Sequence, residues 1–245
     1  MAIDTVLREL NFDRYDRNAR LRPALLVVLP ALVLIALWLP KVWTLFGALT
    51  SLLVACGVTF LLAQLARERG RSLERRWRGV IGREHTAILL SHASMALAAP
   101  TKARYHAFLA SKGLVLPTVE EERLNRAKAH ELYRSAGEWL LEYTRSKAAI
   151  SLLLDENISY GFRRNLMGLK PIALLILVLA VVGNAILIYL AGPMSKMLWP
   201  GIALEVGLLA ATCAWVWMIN KAFVVDASLA YAQRLLAQCD APATS

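Results

Sequence analysis

Apolar positions gather into four runs along the chain, at about 23 to 39, 42 to 66, 171 to 191 and 198 to 219, and the polar positions fall between them. A helix needs about 20 apolar residues to cross the roughly 30 Å hydrocarbon core of a bilayer, so each run is long enough to span or nearly span one. The pattern predicts an all-α integral membrane protein with four transmembrane helices in two hairpins, one over 23–66 and one over 171–219. A hydrophilic insertion, 67–170, separates the hairpins, a segment of 1–22 precedes them and a tail of 220–245 follows. Pro30 predicts a kink in the first helix.

Composition agrees, since 58% hydrophobic residues and a net charge of +10 coexist only if apolar and basic residues are segregated. Lys and Arg number five in 1–22, nineteen in 67–170 and two after 219, but only one in each of the two remaining connections, at Lys41 and Lys196. Short cytoplasmic loops hold such an excess, which places both termini and the insertion in the cytoplasm. Trp38, Trp43 and Trp199 fall near the outer helix ends, where amphipathic rings settle. The first 22 residues hold four acids and no apolar core, which argues against a cleavable signal peptide. Cys56, Cys213 and Cys239 suggest no disulfide framework.

The insertion reads as folded helix. Thr118 and Glu121 form a capping-box pattern, and Glu120, Glu121 and Glu122 suit the positive end of a helix dipole. The helix they open is expected to run on through "RLNRAKAHELYRSAGEWLLEY", with Leu132, Ala136, Trp139, Leu140 and Tyr143 as its core stripe. A second helix is expected to continue out of the membrane through "LARERGRSLERRWRG".

That continuation carries candidate chemistry. Arg67, Arg71, Arg75 and Arg78 recur at four, four and three residues, one basic ridge of a helix. Two readings stand side by side: the ridge holds a phosphate-bearing ligand, or it touches anionic lipid heads. Lys102, Arg104, Tyr105, His106 and Lys112 add cations and aromatics suited to phosphates and stacked bases. Arg163 and Arg164 lie in "YGFRRNLMGLKP", where Gly161, Gly168 and Pro171 suggest a hinge before the third membrane helix. Inside the bilayer, Glu205 and Asn184 are expected at one depth, roughly 10 Å below the outer surface. They could line a cation-selective pore in an oligomer, or act as packing glue between helices. No Walker loop, HExxH, GxSxG or paired-Cys spacing occurs, and His85, His92, His106 and His130 show no metal-ligand spacing. No catalytic residue, metal or cofactor is therefore expected.

The run "RYHAFLASKGLVLPT", and above all "ENISYGFRRNLMGLKP", resembles small four-helix membrane proteins of bacterial anti-phage defence loci over about residues 70 to 175. Within that group it is most similar to the membrane effectors of Hailong-type systems. The resemblance implies a homotetrameric channel in the bacterial inner membrane. It also implies a short single-stranded DNA oligomer as ligand, made by a partner nucleotidyltransferase, and abortive infection as the outcome. Without it, the residues alone leave open a non-conducting scaffold that recruits a protein or anionic lipid through the basic insertion.

Overall fold

A computed structural model describes residues 14–39, 43–77, 79–145 and 151–240. Every regular element among the described residues is helical. Helix α1 (Arg14–Trp38) contains a five-residue π-helical stretch, Arg17–Leu21, and runs through Pro30. Helices α2 (Leu45–Arg76), α3 (Arg83–Leu90), α4 (Ala99–Ser111), α5 (Val119–Leu124) and α6 (Arg126–Arg145) follow. The chain then forms α7 (Ser151–Ala191), α8 (Leu198–Trp217), α9 (Lys221–Leu236) and a final turn, Ala237–Asp240. Four of these, α1, α2, α7 and α8, are long and apolar enough to cross a membrane.

The chain divides into two compact units. One comprises Met1–Leu73 with Gly161–Phe223, the other Glu74–Tyr160 with Val224–Ser245. The segment after the last membrane helix, treated separately on sequence grounds, thus belongs with the insertion.

In the first unit, Leu166, Leu169, Ala173, Leu177, Ala180 and Asn184 are buried on α7 at steps of three and four, and α8 buries Gly201, Leu208 and Trp215 one heptad apart. This spacing is that of near-parallel helix packing along a narrow seam. Much of the remaining surface of both helices is exposed and apolar, including Leu175, Val178, Leu179, Val182 and Val206. That distribution suits helices whose outer faces meet lipid. Where α2 carries Arg69 and Gly70, it and α7 approach backbone to backbone. A Cβ on Gly168 would lie 2.9 Å from both Arg69 C and Gly70 N, and one on Gly70 would overlap Asn165 Oδ1. A side chain at Gly168 would collide with backbone, and one at Gly70 would have to displace the buried Asn165 amide.

These contacts correct the expected hinge. Gly161, Gly168 and Pro171 all lie inside the uninterrupted helix α7. The glycines serve close packing, Gly161 against Tyr15 and Ala19 of α1 and Gly168 against α2. Other members of the same motif grip backbone carbonyls. Asn165, fully buried, donates to Ala19 O at 2.7 Å, inside the π-helical stretch of α1 where the regular hydrogen-bond ladder is disturbed. Lys170 Nζ donates to Val216 O (2.9 Å) and Ile219 O (2.6 Å) at the C-terminal end of α8, where terminal carbonyls lack helical partners and a cation is favoured.

The second unit is built on α3, α4, α6 and α9. Leu89, Leu90, Tyr105, Leu109, Tyr133, Leu140, Leu235 and Leu236 form its core. The capping box at Thr118 is present, but α5 lasts only six residues before Asn125 leaves helical geometry at φ −144°, ψ 85°. The Asn125 side chain then accepts from Lys128 N at 3.0 Å and starts α6 afresh. One expected helix is therefore two. In the expected stripe, Ala136 and Leu140 are buried, while Trp139 and Tyr143 pack against the core and stack on each other at 4.8 Å.

Candidate ligand surface and intramembrane polar cluster

Two buried charges of opposite sign organise the second unit. Glu122 accepts hydrogen bonds from His92 N (2.8 Å), Ala93 N (3.5 Å), Tyr133 OH (2.8 Å) and Ser91 Oγ. Lys102 Nζ donates to Ser91 O and Ser94 O, both at 2.6 Å, and to His92 O at 3.4 Å. The turn at residues 91–94 is thus held from both sides, its N–H groups by a carboxylate and its carbonyls by an ammonium. Burial alone would raise the Glu122 carboxyl, but the converging donors outweigh it and hold the group below the ordinary range. Burial lowers Lys102, against the attraction of Glu122.

This arrangement redistributes the residues expected to meet a ligand. Lys102 is buried and its ammonium protons are directed at carbonyls of its own unit, which removes it from the candidate ligand set. Tyr105 is buried in the core. His106 directs Nε2 at Leu90 O, 2.8 Å away, and packs edge-on against His92 at 4.8 Å. Burial lowers the His106 imidazole, followed by a raising effect of the Leu90 carbonyl and lowering by His92 and Lys102. Arg104 forms a two-pronged, exposed pair with Asp240 (3.1 and 3.0 Å), and Lys112 lies over the rings of Phe108 and Tyr143. Both remain at the surface.

On α2, Arg71 and Arg75 are exposed on successive turns, and Arg67 is half-buried with Nε enclosed and without a hydrogen-bond partner. Arg78 lies outside the described residues. Arg163 donates to Phe223 O at 3.1 Å and stacks on that residue's ring at 4.7 Å. Arg164 reaches toward Asn165 Oδ1 at 3.4 Å. Among the expected ligand residues, Arg67, Arg71, Arg163 and Arg164 belong to the first unit, and Arg75, Lys102, Arg104, Tyr105, His106 and Lys112 to the second.

Within the first unit the polar residues Asn184 and Glu205 of the two apolar helices α7 and α8 meet. Asn184 is fully buried; its Nδ2 donates to Glu205 Oε2 at 2.7 Å and to Gly201 O at 2.9 Å. Its Oδ1 accepts from Trp38 Nε1 at 2.8 Å. Gly201 permits the approach, because a Cβ there would lie 2.8 Å from Ile188 Cγ1 and 3.1 Å from Trp38 Cζ2. Trp38, expected at the interface belt, is a member of the cluster. An indole N–H within an apolar region requires an acceptor, and Asn184 supplies it. Glu205 stands half-buried, with Oε1 unpartnered among the described residues.

No group of three or more His, Cys, Asp and Glu side chains gathers as a metal site among the described residues. No family model, curated protein or solved structure matches the chain.

Proposed function

We propose that this chain is an oligomeric, ligand-gated ion channel of the bacterial inner membrane that acts as the effector of an anti-phage defence system. In this reading a cytoplasmic anionic ligand, a short DNA oligomer or related nucleotide signal, biases the channel, and opening depolarises the infected cell. The defence role, the tetramer and the nucleotidyltransferase partner rest on the resemblance. The channel rests on the chain's own residues.

The observation that carries it is Glu205. A carboxylate about 10 Å along a membrane helix is costly. Here one oxygen is held by Asn184 and the group stands half-exposed on a single copy. Facing lipid, that exposure is unfavourable; facing a water-filled axis between copies, it forms an acidic ring that attracts cations. Trp38 and Gly201 fix Asn184, and Asn184 fixes the carboxylate.

Reconstitution in liposomes tests this. The wild-type protein should pass potassium and sodium in preference to chloride, and Glu205→Gln should reduce cation preference severalfold while the protein still assembles. A silent wild-type protein, with or without added oligonucleotide, would sink the channel reading.

The scaffold reading is favoured by one observation. Arg69 and Arg76 are also exposed. At about 100° per residue they lie on the side of α2 away from Arg71 and Arg75. A helix ringed by arginines suits a layer of anionic head groups. That reading predicts no flux and an unchanged permeability on neutralising Glu205.

A further inference from the structure

Helix α1 is tied to α7 at two points. Near the start of α1, Asn165 Nδ2 donates to Ala19 O at 2.7 Å, and a Cβ on Gly161 would lie 2.6 Å from Tyr15 Oη and 3.1 Å from Ala19 Cβ. Near its end, Trp38 Nε1 donates to Asn184 Oδ1 at 2.8 Å, and a Cβ on Gly183 would lie 3.7 Å from Leu34 Cδ2. The ties follow the same order along both helices, so α1 and α7 run parallel. Asn165 and Asn184 are 19 positions apart, which separates the two ties by about 28 Å along α7.

Between Tyr15 and Trp38 lies the π-helical stretch Arg17–Leu21, where the Arg22 N–H bonds Arg17 O, five residues back. Such a stretch acts as one residue inserted into an α-helix, and it turns everything beyond it by about 100° relative to what precedes it. Tyr15 and Trp38 are 23 positions apart, which in an unbroken α-helix would point them about 140° from each other. With one residue absorbed by the π stretch the angle falls to about 40°, and both face α7. Ala19 is fully buried, so its carbonyl needs a donor within the protein. The equally buried Asn165 amide supplies one from the neighbouring helix.

We infer that Asn165 is a positioning residue for Glu205. By holding the π stretch it sets the rotational phase of α1. That phase delivers the Trp38 indole to Asn184, whose Nδ2 in turn holds Glu205 Oε2 at 2.7 Å. Without the Asn165 donor the buried Ala19 carbonyl is left unsatisfied, which favours the plain α-helical register and turns Trp38 away from Asn184. Asn165 thus acts on a carboxylate it does not touch. This role deepens the channel reading, on which its consequence for ions rests; the phase of α1 itself is independent of that reading.

Cross-linking in the full-length protein reads the phase. With Cys56, Cys213 and Cys239 replaced by Ala, the pair Leu34→Cys and Gly183→Cys should be joined by a short bifunctional thiol reagent, because α1 presents position 34 to α7. Adding Asn165→Leu, of similar size but with no donor, should lower the cross-linking yield severalfold. Deleting Asn18, whose side chain bonds Arg14 O of its own helix at 2.7 Å, takes the extra residue out of the stretch. The deletion should leave the yield near its starting value, since Tyr15 and Trp38 stay in phase on a plain α-helix, and Asn165→Leu added to the deletion should lower it no further. A hydrogen bond that merely stabilises would cost the same in both backgrounds. The deletion alters neither α7 nor α8, so it decides the matter even if Asn165→Leu fails to assemble. A cross-link lost on deletion, or one that survives Asn165→Leu undiminished, would overturn the inference. Liposome flux separates it from the wider reading. Asn165→Leu should reduce cation preference as Glu205→Gln does, and a preference unchanged while the cross-link is lost would uncouple Glu205 from α1 and overturn the positioning role. Cross-linking that follows the expected pattern in a protein that passes no ions would keep the phasing role of Asn165 and remove the pore.

Discussion

At the scale of single residues, the most informative side chains are charged groups that the fold has turned inward. Glu122 collects four donors, so replacing it by Gln keeps its size but points an amide N–H₂ at groups that are themselves donors. We expect Glu122→Gln to lower the stability of the insertion unit by about 1–3 kcal/mol, and Lys102→Met by a similar amount through its abandoned carbonyls. Thermal unfolding followed by circular dichroism measures both. Because the folded-state carboxyl of Glu122 is depressed below its usual 4.5, its contribution is present above that value and is lost as pH falls through the lower, folded value. The wild-type melting temperature should therefore drop more steeply below pH 4.5 than that of Glu122→Gln. Histidine acts at a higher window. Burial lowers His85, whose Nδ1 lies 2.8 Å from the buried Ser228 hydroxyl, and lowers His106. Their unfolded forms take up protons first, so stability should decline as pH falls from about 6.5. Replacing both with Asn should remove this slope, whatever it does to stability at neutral pH; a slope unchanged in the double variant would assign the decline to other groups.

At the scale of elements, the crossing of α2 and α7 is the point where small changes should matter most. Gly168→Ala drives a methyl into the backbone at Arg69 and Gly70, whereas Gly207 of α8 has nothing within 4 Å of its would-be Cβ. We expect Gly168→Ala to destabilise the membrane unit by about 1–3 kcal/mol and Gly207→Ala to be nearly neutral, as measured by thermal melts in detergent. Equal effects would show that the crossing is not tight. The elements also show what spacing along the chain can reveal. The four apolar runs, the continuation of α2 beyond them and the Thr118 cap are local patterns, and they were legible. Asn184 and Glu205 were also legible, because each lies seven residues from the end of its helix, at Ala191 and Leu198 respectively. The break at Asn125 was not, although Asn as a helix cap was a signal in view; the strong apolar stripe across it masked the cap. Nor could spacing separate Lys102 from Arg71. Both read as cations near a helix, and only the tertiary fold makes one a buried clamp and leaves the other exposed.

At the scale of the whole molecule, the unexpected feature is the membership of the last helix. The hydrophobic pattern ends the membrane part near residue 219 and leaves a short tail, yet Ala232, Leu235, Leu236 and Cys239 are buried in one cluster with Leu109, Tyr133 and Leu140. Burial pushes the Cys239 thiol up to about 12, the mark of a small core side chain and not of a reactive one. Two further ties hold the same segment. Ser228 Oγ accepts from Gly82 N at 2.7 Å, at a glycine whose φ of +73° disfavours any side chain, and Tyr231 stacks on Tyr160 with ring centroids 6.1 Å apart. A core that closes only with residues from the far end of the chain cannot finish folding until that end is made. Truncation after Phe223 should therefore leave the insertion unit open rather than merely shorter. Its signature would be increased binding of an apolar dye, rapid proteolysis within residues 83–145, and loss of the pH-dependent melting assigned to His85 and His106. The four helices long and apolar enough to cross a membrane should be unaffected, because none of the apolar runs is touched. An insertion unit that melts cooperatively and resists protease after truncation would mean that α9 rests on a core already complete without it.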